Sequence, residues 1–143
     1  MKNFSIILTI VFVGCFACKN ASEAFFLKDT IAYNLVLGDT SVIKVRETLI
    51  NEEKGISILM DSVLSESRCP LGVECIWEGN AAVRFVFKSD NLETKFILNT
   101  ALIPKDTTIN GYKISLLNLL PYPIYSHPAS YSEYHANIIV QKN

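Results

Sequence analysis

Ala81-Ala-Val-Arg-Phe-Val-Phe-Lys88 alternates strictly, with Ala81, Val83, Phe85 and Phe87 on one side and Ala82, Arg84, Val86 and Lys88 on the other. A period of two puts successive side chains on opposite faces of an extended chain, so this segment reads as a strand with one face in a core. Ser89-Asp-Asn91 then turns the chain into a further strand, Thr94 to Asn99. Upstream, strands are expected from Ile31 to Leu37, from Ser41 to Ile50 and from Ile56 to Ser65, separated by Gly38-Asp39 and by Asn51-Glu-Glu-Lys-Gly55. Downstream, a loop with Pro104 and Asn110-Gly111 precedes a strand from Tyr112 to Leu119. A Pro-rich loop precedes the last, Tyr134 to Gln141, in which Tyr134, Ala136, Ile138 and Val140 share a face. No stretch combines helix caps with a 3.6-residue period. About seven short strands predict an all-β fold, a small two-sheet antiparallel β-sandwich of immunoglobulin-like size over residues 31–143. A β-barrel is the alternative.

The chain has 143 residues, 50% of them hydrophobic, with 13 basic against 14 acidic side chains and a formal net charge of −1. That length allows one small domain, and so apolar and weakly charged a chain is not disordered. With no run of lysines or arginines, there is no electrostatic footprint for nucleic acid.

Part of the hydrophobicity precedes the fold. After Lys2, the segment Phe4–Ala17 runs without a charge. It is shorter than the roughly 20 apolar residues of a membrane-spanning helix and reads as a signal-peptide core. Cys18 follows Ala17 at the boundary with the polar Lys19-Asn-Ala-Ser-Glu23. This junction resembles the bacterial lipobox, in which the cysteine sulfur receives a diacylglycerol before the signal is removed. Cys15, after Gly14, is the competing lipidation site; it is less favoured because Phe16 would then remain in the mature tail. An ordinary secreted chain cleaved nearby is the remaining alternative. With Cys18 as the site, residues 1–17 are a lipoprotein signal peptide and residues 18–30 a lipid anchor and tether, and 126 of the 143 residues remain. In a double-membrane cell, Lys19-Asn20 lacks the aspartate that retains some lipoproteins in the inner membrane, so a cell-envelope protein anchored in the outer membrane is expected there.

The most specific segment is Glu66-Ser67-Arg68-Cys69-Pro70-Leu-Gly-Val-Glu-Cys75-Ile-Trp77-Glu-Gly79-Asn80. Cys69 and Cys75 are expected to form a disulfide, because an exported chain meets an oxidising compartment and the turn formers Pro70 and Gly72 bring the two together. Redox turnover would call for two intervening residues and a helix start, and here there are five and a strand pattern. Trp77 is expected to cover the edge of the core, and Gly79 to let the backbone turn into the next strand without a Cβ clash. Arg68 has two readings: its guanidinium grips a carboxylate or phosphate ligand, or it pairs with Glu66, Glu74 or Glu78 and pins the loop.

This segment resembles a family of bacterial secreted and lipoprotein domains marked by Asp-Ser-Arg-Cys-Pro, a few residues, and Cys-x-Trp-x-Gly. Here the pattern stands as Glu66-Ser67-Arg68-Cys69-Pro70 and Cys75-Ile76-Trp77-Glu78-Gly79, with Glu66 in place of the aspartate. The resemblance continues more loosely through Thr100, Gly111-Tyr112-Lys-Ile-Ser-Leu116 and Leu120-Pro121, covering most of residues 33–141. It implies a small β domain on the envelope and no particular activity.

Ser41-Val-Ile-Lys44 and Ser89-Asp90-Asn91 match two elements of penicillin-interacting serine enzymes, but the first lies in a strand pattern and the Lys-Thr-Gly element is missing. No catalytic residues are assigned, and neither a cofactor nor a metal is expected. A metal or small-ligand site would have to be built on His127, His135 and Glu133, which straddle a loop and a strand. The segment Pro121–Tyr134 holds four tyrosines and three prolines. That is the composition of binding loops, and Tyr122, Tyr125, His127, Tyr131 and Tyr134 are the candidate contact residues for a protein partner. The competing reading is that these rings roof one end of the sandwich. Taken together, the sequence predicts a lipid-anchored, non-catalytic binding or structural module, with a small-ligand or metal-binding protein as the alternative.

Overall fold

The computed structural model describes residues 32–143, which form two β-sheets packed face to face. The signal segment, Cys15, Cys18 and the tether lie outside the described residues. The strands are β1 (Ala32–Asn34), β2 (Thr40–Lys44), β3 (Thr48–Asn51), β4 (Ile56–Glu66), β5 (Ala81–Ser89), β6 (Leu92–Asn99), β7 (Asp106–Ile109), β8 (Tyr112–Leu120) and β9 (His135–Lys142). One sheet has the order β1-β3-β4-β5-β6 and the other β2-β9-β8-β7; they do not close into a barrel. The only helical element among the described residues is a single 3-10 turn, Tyr131–Glu133.

The alternation in β5 is realised as expected: Ala81, Val83, Phe85 and Phe87 are fully buried, while Lys88 on the opposite face is exposed. From the other sheet, Ile114, Leu119, Ala136, Ile138 and Val140 meet them in one core. Phe85 stacks on Phe96 at 5.6 Å, and Phe87 of β5 reaches Tyr112 of β8 at 5.9 Å, tying the two sheets together. The outer face of the five-stranded sheet is solvated and carries the ion pairs Asp61–Arg84 at 2.6 Å and Lys88–Glu93 at 2.8 Å. Hydrogen bonds from Arg84 and Ser62 hold the Asp61 carboxyl below its usual range.

Four features depart from the strands expected from sequence. Ser41–Ile50 is two strands, not one: Val45 donates to Tyr134 O at 2.9 Å and the next residue, Arg46, donates to Met60 O at 2.7 Å, so the chain changes sheets there. Arg46 has φ 69°, a left-handed conformation that breaks the extended run. Asp106–Ile109, expected as loop, is an edge strand joined to β8 through Asn110 (φ 50°) and Gly111 (φ 77°). Positive φ at both central residues matches the twist of an antiparallel pair and is the reason Asn-Gly makes two-residue hairpins. The first strand is shorter than expected, Ala32–Asn34 within the predicted Ile31–Leu37, and beyond it Leu35 donates to Ile50 O at 2.8 Å while filling the core. Finally, β1 pairs with β3 in parallel, so the sheets are antiparallel except at that edge.

Candidate functional site

β4 and β5 leave their sheet as a neck that holds the cysteine loop. Ser67 donates to Asn80 O at 2.8 Å through both its backbone nitrogen and its hydroxyl, and Cys69 donates to Glu78 O at 2.8 Å. Beyond the neck, Cys69 and Cys75 form the expected disulfide, with Cα atoms 5.9 Å apart. Gly79 has φ 71°, and a Cβ there would stand 1.8 Å from Ser67 O. The narrow neck therefore exists only because this position lacks a side chain.

Arg68 is buried, with 7% of its surface exposed. Its Nε donates to Glu66 Oε1 at 2.8 Å, its Nη2 donates to Glu66 Oε2 and to Pro121 O, and its Nη1 donates to Leu119 O at 2.5 Å. Glu66 Oε1 also accepts from the Arg68 backbone nitrogen, and the guanidinium lies 4.8 Å from the centre of the Tyr122 ring. One planar cation thus joins the end of β4 to the end of β8 across the sandwich, with its charge neutralised by Glu66 and its face covered by an aromatic ring. Of the two expected roles for Arg68, the geometry is that of the loop pin, with Glu66 as partner.

Trp77 does not cover the core. It is 74% exposed, and its neighbour Ile76 is 93% exposed. The buried groups at that end of the sandwich are Arg68 and Tyr134, with Tyr122 partly exposed over the guanidinium. The disulfide should accordingly matter more for stability than the indole. Removing both Cys69 and Cys75 should cost about 2–2.5 kcal/mol on the chain-entropy account of so short a loop. Trp77→Ala should change stability by less than about 0.5 kcal/mol. Denaturant titration of the two variants checks the order.

The tyrosine- and proline-rich segment packs against the same end. Leu71 donates to Pro123 O at 2.9 Å and accepts from the Tyr125 nitrogen at 3.3 Å, which joins the two loops by their backbones. The five candidate residues then separate. Tyr134 is buried in the core, where desolvation and the nearby Glu66 charge push its phenol above its ordinary value. The Tyr131 hydroxyl accepts from Val63 N at 3.1 Å and its ring lies under Arg46, so it is half structural. Tyr122 supports Arg68, leaving Tyr125, at 75% exposure, and His127 as side chains facing solvent. The Glu133 carboxylate accepts from Ser130 N at 2.6 Å within its own turn, and Nδ1 of His135 lies 3.1 Å from the Glu133 carbonyl oxygen. Among the described residues, no three His, Cys, Asp or Glu side chains group as metal ligands would.

A third loop, 100–105, was not singled out by sequence reasoning. Asn80 organises it: its Nδ2 donates to Asn99 Oδ1 at 2.8 Å, and its Oδ1 accepts from the nitrogens of Ala101 and Leu102. Leu102 and Ile103 project from it, 61% and 89% exposed. The available signal was an aliphatic pair directly before Pro104, in a segment otherwise bounded by turn residues.

One end of the sandwich therefore carries three loops, the cysteine loop bonded to each of the other two, with Leu71, Ile76, Trp77, Leu102, Ile103 and Tyr125 facing water. Such an end can make apolar and aromatic contacts; its exposed polar groups include Ser126, whose Oγ lies 2.9 Å from His127 Nδ1, and His127 lines an open cavity together with Glu133. The two serine motifs lie elsewhere, Ser41–Lys44 in β2 and Ser89 at the end of β5, in different sheets. Comparison of the chain with protein-family models, curated proteins and solved structures finds no match.

Proposed function

We propose that this chain is a lipid-anchored bacterial cell-envelope protein whose β-sandwich is a non-catalytic binding module, with the three-loop end as its contact surface. The observation that carries this reading is the outward placement of Ile76, Trp77, Leu102, Ile103 and Tyr125 on loops held by a disulfide, a buried arginine and the Asn80 side chain. Burying one large apolar side chain contributes about 1.5–3 kcal/mol. A loop under selection for stability alone would turn several of these inward, whereas a contact surface keeps them out.

The anchor rests on the uncharged Phe4–Ala17 segment and on Cys18 at its polar boundary, and the likeness of Glu66–Gly79 to secreted and lipoprotein domains agrees with it. Outer-membrane placement rests on Lys19-Asn20. Cys18→Ser should release the protein from membranes or block its processing, as read by membrane fractionation and immunoblotting. A Cys18→Ser protein that is processed normally and stays membrane-bound would overturn the anchor.

A further inference from the structure

We infer that the three-loop end rests on the surface of the same bilayer that holds the anchor, with Ile76, Trp77, Leu102 and Ile103 entering the lipid interface. This deepens the anchored reading above and rests on it. The direction of the chain supplies the first argument. β1 is parallel to β3, and β3 is antiparallel to β4, so Ala32 is the end of β1 that faces the loop end of the sandwich. The chain from the anchor thus enters on the side where the loops are.

Length supplies the second argument. Ala32 is in register with Thr48, and Thr48 with Leu59, seven residues short of Glu66 and the loop base. At about 3.3 Å per strand residue, that is roughly 23 Å. Residues 19–31 extend to at most about 43–47 Å, so an anchor at Cys18 reaches past the loop base by roughly 20 Å. The bilayer is within contact distance of the loop tips, and the tether keeps the domain from moving far away. Tethering makes the contact intramolecular, so tips too weak to hold a free chain on lipid suffice here.

Chemistry supplies the third. Ile76 and Ile103, from separate loops, are 93% and 89% exposed, which is the geometry of protruding tips and not of a groove lining. Trp77 and Tyr125 beside them are amphipathic rings of the kind favoured at the headgroup level. Exposed charge at this end is Glu74, Glu78, Glu133 and Lys105, a small acidic excess, and Arg68 is neutralised by Glu66. Attachment is therefore apolar, is not weakened by salt and needs no anionic lipid.

Trp77 is the only tryptophan in the chain, which makes it a built-in probe. The lipidated mature protein would be reconstituted in vesicles of phosphatidylethanolamine and phosphatidylcholine carrying brominated acyl chains. Flotation reports the anchor, and quenching of Trp77 reports the loops. The expected result is flotation together with loss of about half or more of the Trp77 emission, not weakened by salt. Ile76→Asp with Ile103→Asp, at two exposed positions, should float equally and lose most of the quenching. Flotation with Trp77 unquenched and open to aqueous acrylamide overturns the loop contact and leaves the anchor standing. Protein purified from its native membranes that carries no lipid, yet whose Trp77 is quenched by excess vesicles, overturns the anchor and leaves the loop contact standing.

Discussion

Replacing Gly79 with alanine should destabilise the domain by about 2–5 kcal/mol, a large part of the 5–15 kcal/mol that holds a domain of this size folded. Two costs add. A left-handed backbone at φ 71° costs an L-residue about 1–2 kcal/mol. The new methyl group would also lie 1.8 Å from Ser67 O and 2.8 Å from Arg68 Cα, both backbone atoms that no rotamer change can move. Relieving that overlap adds about 1–3 kcal/mol and opens the neck that closes the cysteine loop. Gly72→Ala is the control. Its φ is 93° and nothing lies within 4 Å of the new Cβ, so only the backbone cost applies. At roughly 4 °C per kcal/mol, thermal melts should separate the two variants clearly, with Gly79→Ala the lower. Equal melting temperatures would contradict the neck geometry.

Arg68→Ala should cost about 3–5 kcal/mol, the usual penalty for breaking a buried ion pair from one side. It leaves Glu66 as a mostly buried carboxylate without its cation, and it leaves Leu119 O and Pro121 O without their donors. Arg68→Lys should recover little, because an ammonium group cannot serve Glu66, Leu119 and Pro121 from one rigid plane. Removing the carboxylate as well, in Glu66→Gln with Arg68→Met, should be less harmful than Arg68→Ala alone, since no unpaired charge is then buried. Urea titration of the three variants reads this order. If the double variant is the least stable, the pair does not act as described.

How far the fold is legible in the sequence depends on where the competing forces act. β5 and β9 were readable because every second residue of each faces the core, although Val86 on the outer side of β5 is buried as well. The break inside Ser41–Ile50 was written less plainly: continuing the parity of Ile43 and Val45 would carry the charged Glu47 into the core before Leu49. In the fold, Glu47 instead turns back and accepts from Lys44 N. β7 lacks apolar alternation because it is an edge strand, and its signal was the Asn110-Gly111 turn, not the strand itself. In β8 the inward residues step from Leu116 to Leu119, a spacing of three that records the register shift there. The parallel pairing of β1 follows from the path of the chain between sheets and has no local signature.

The site was legible where its chemistry is short-range. Cys69 with Cys75, and Glu66 with Arg68, lie within a few residues of each other, and spacing alone brought them together. The direction of Trp77 was not legible, because the end of the core is closed by Arg68 binding carbonyls more than fifty residues away. Tyr134 was misplaced among contact residues for the same reason. Its strand parity put it in the core, whereas its loop-like composition pointed outward, and the parity prevailed.

The anchored contact surface is tested most directly by the intact mass of the mature protein taken from native membranes without reduction. The account predicts a chain that begins at Cys18, carries diacylglycerol on that sulfur, and shows no free thiol because Cys69 and Cys75 are joined. An unmodified N-terminus beyond residue 18 would contradict the anchor. Two reactive thiols would contradict the fixed loop on which the contact surface stands.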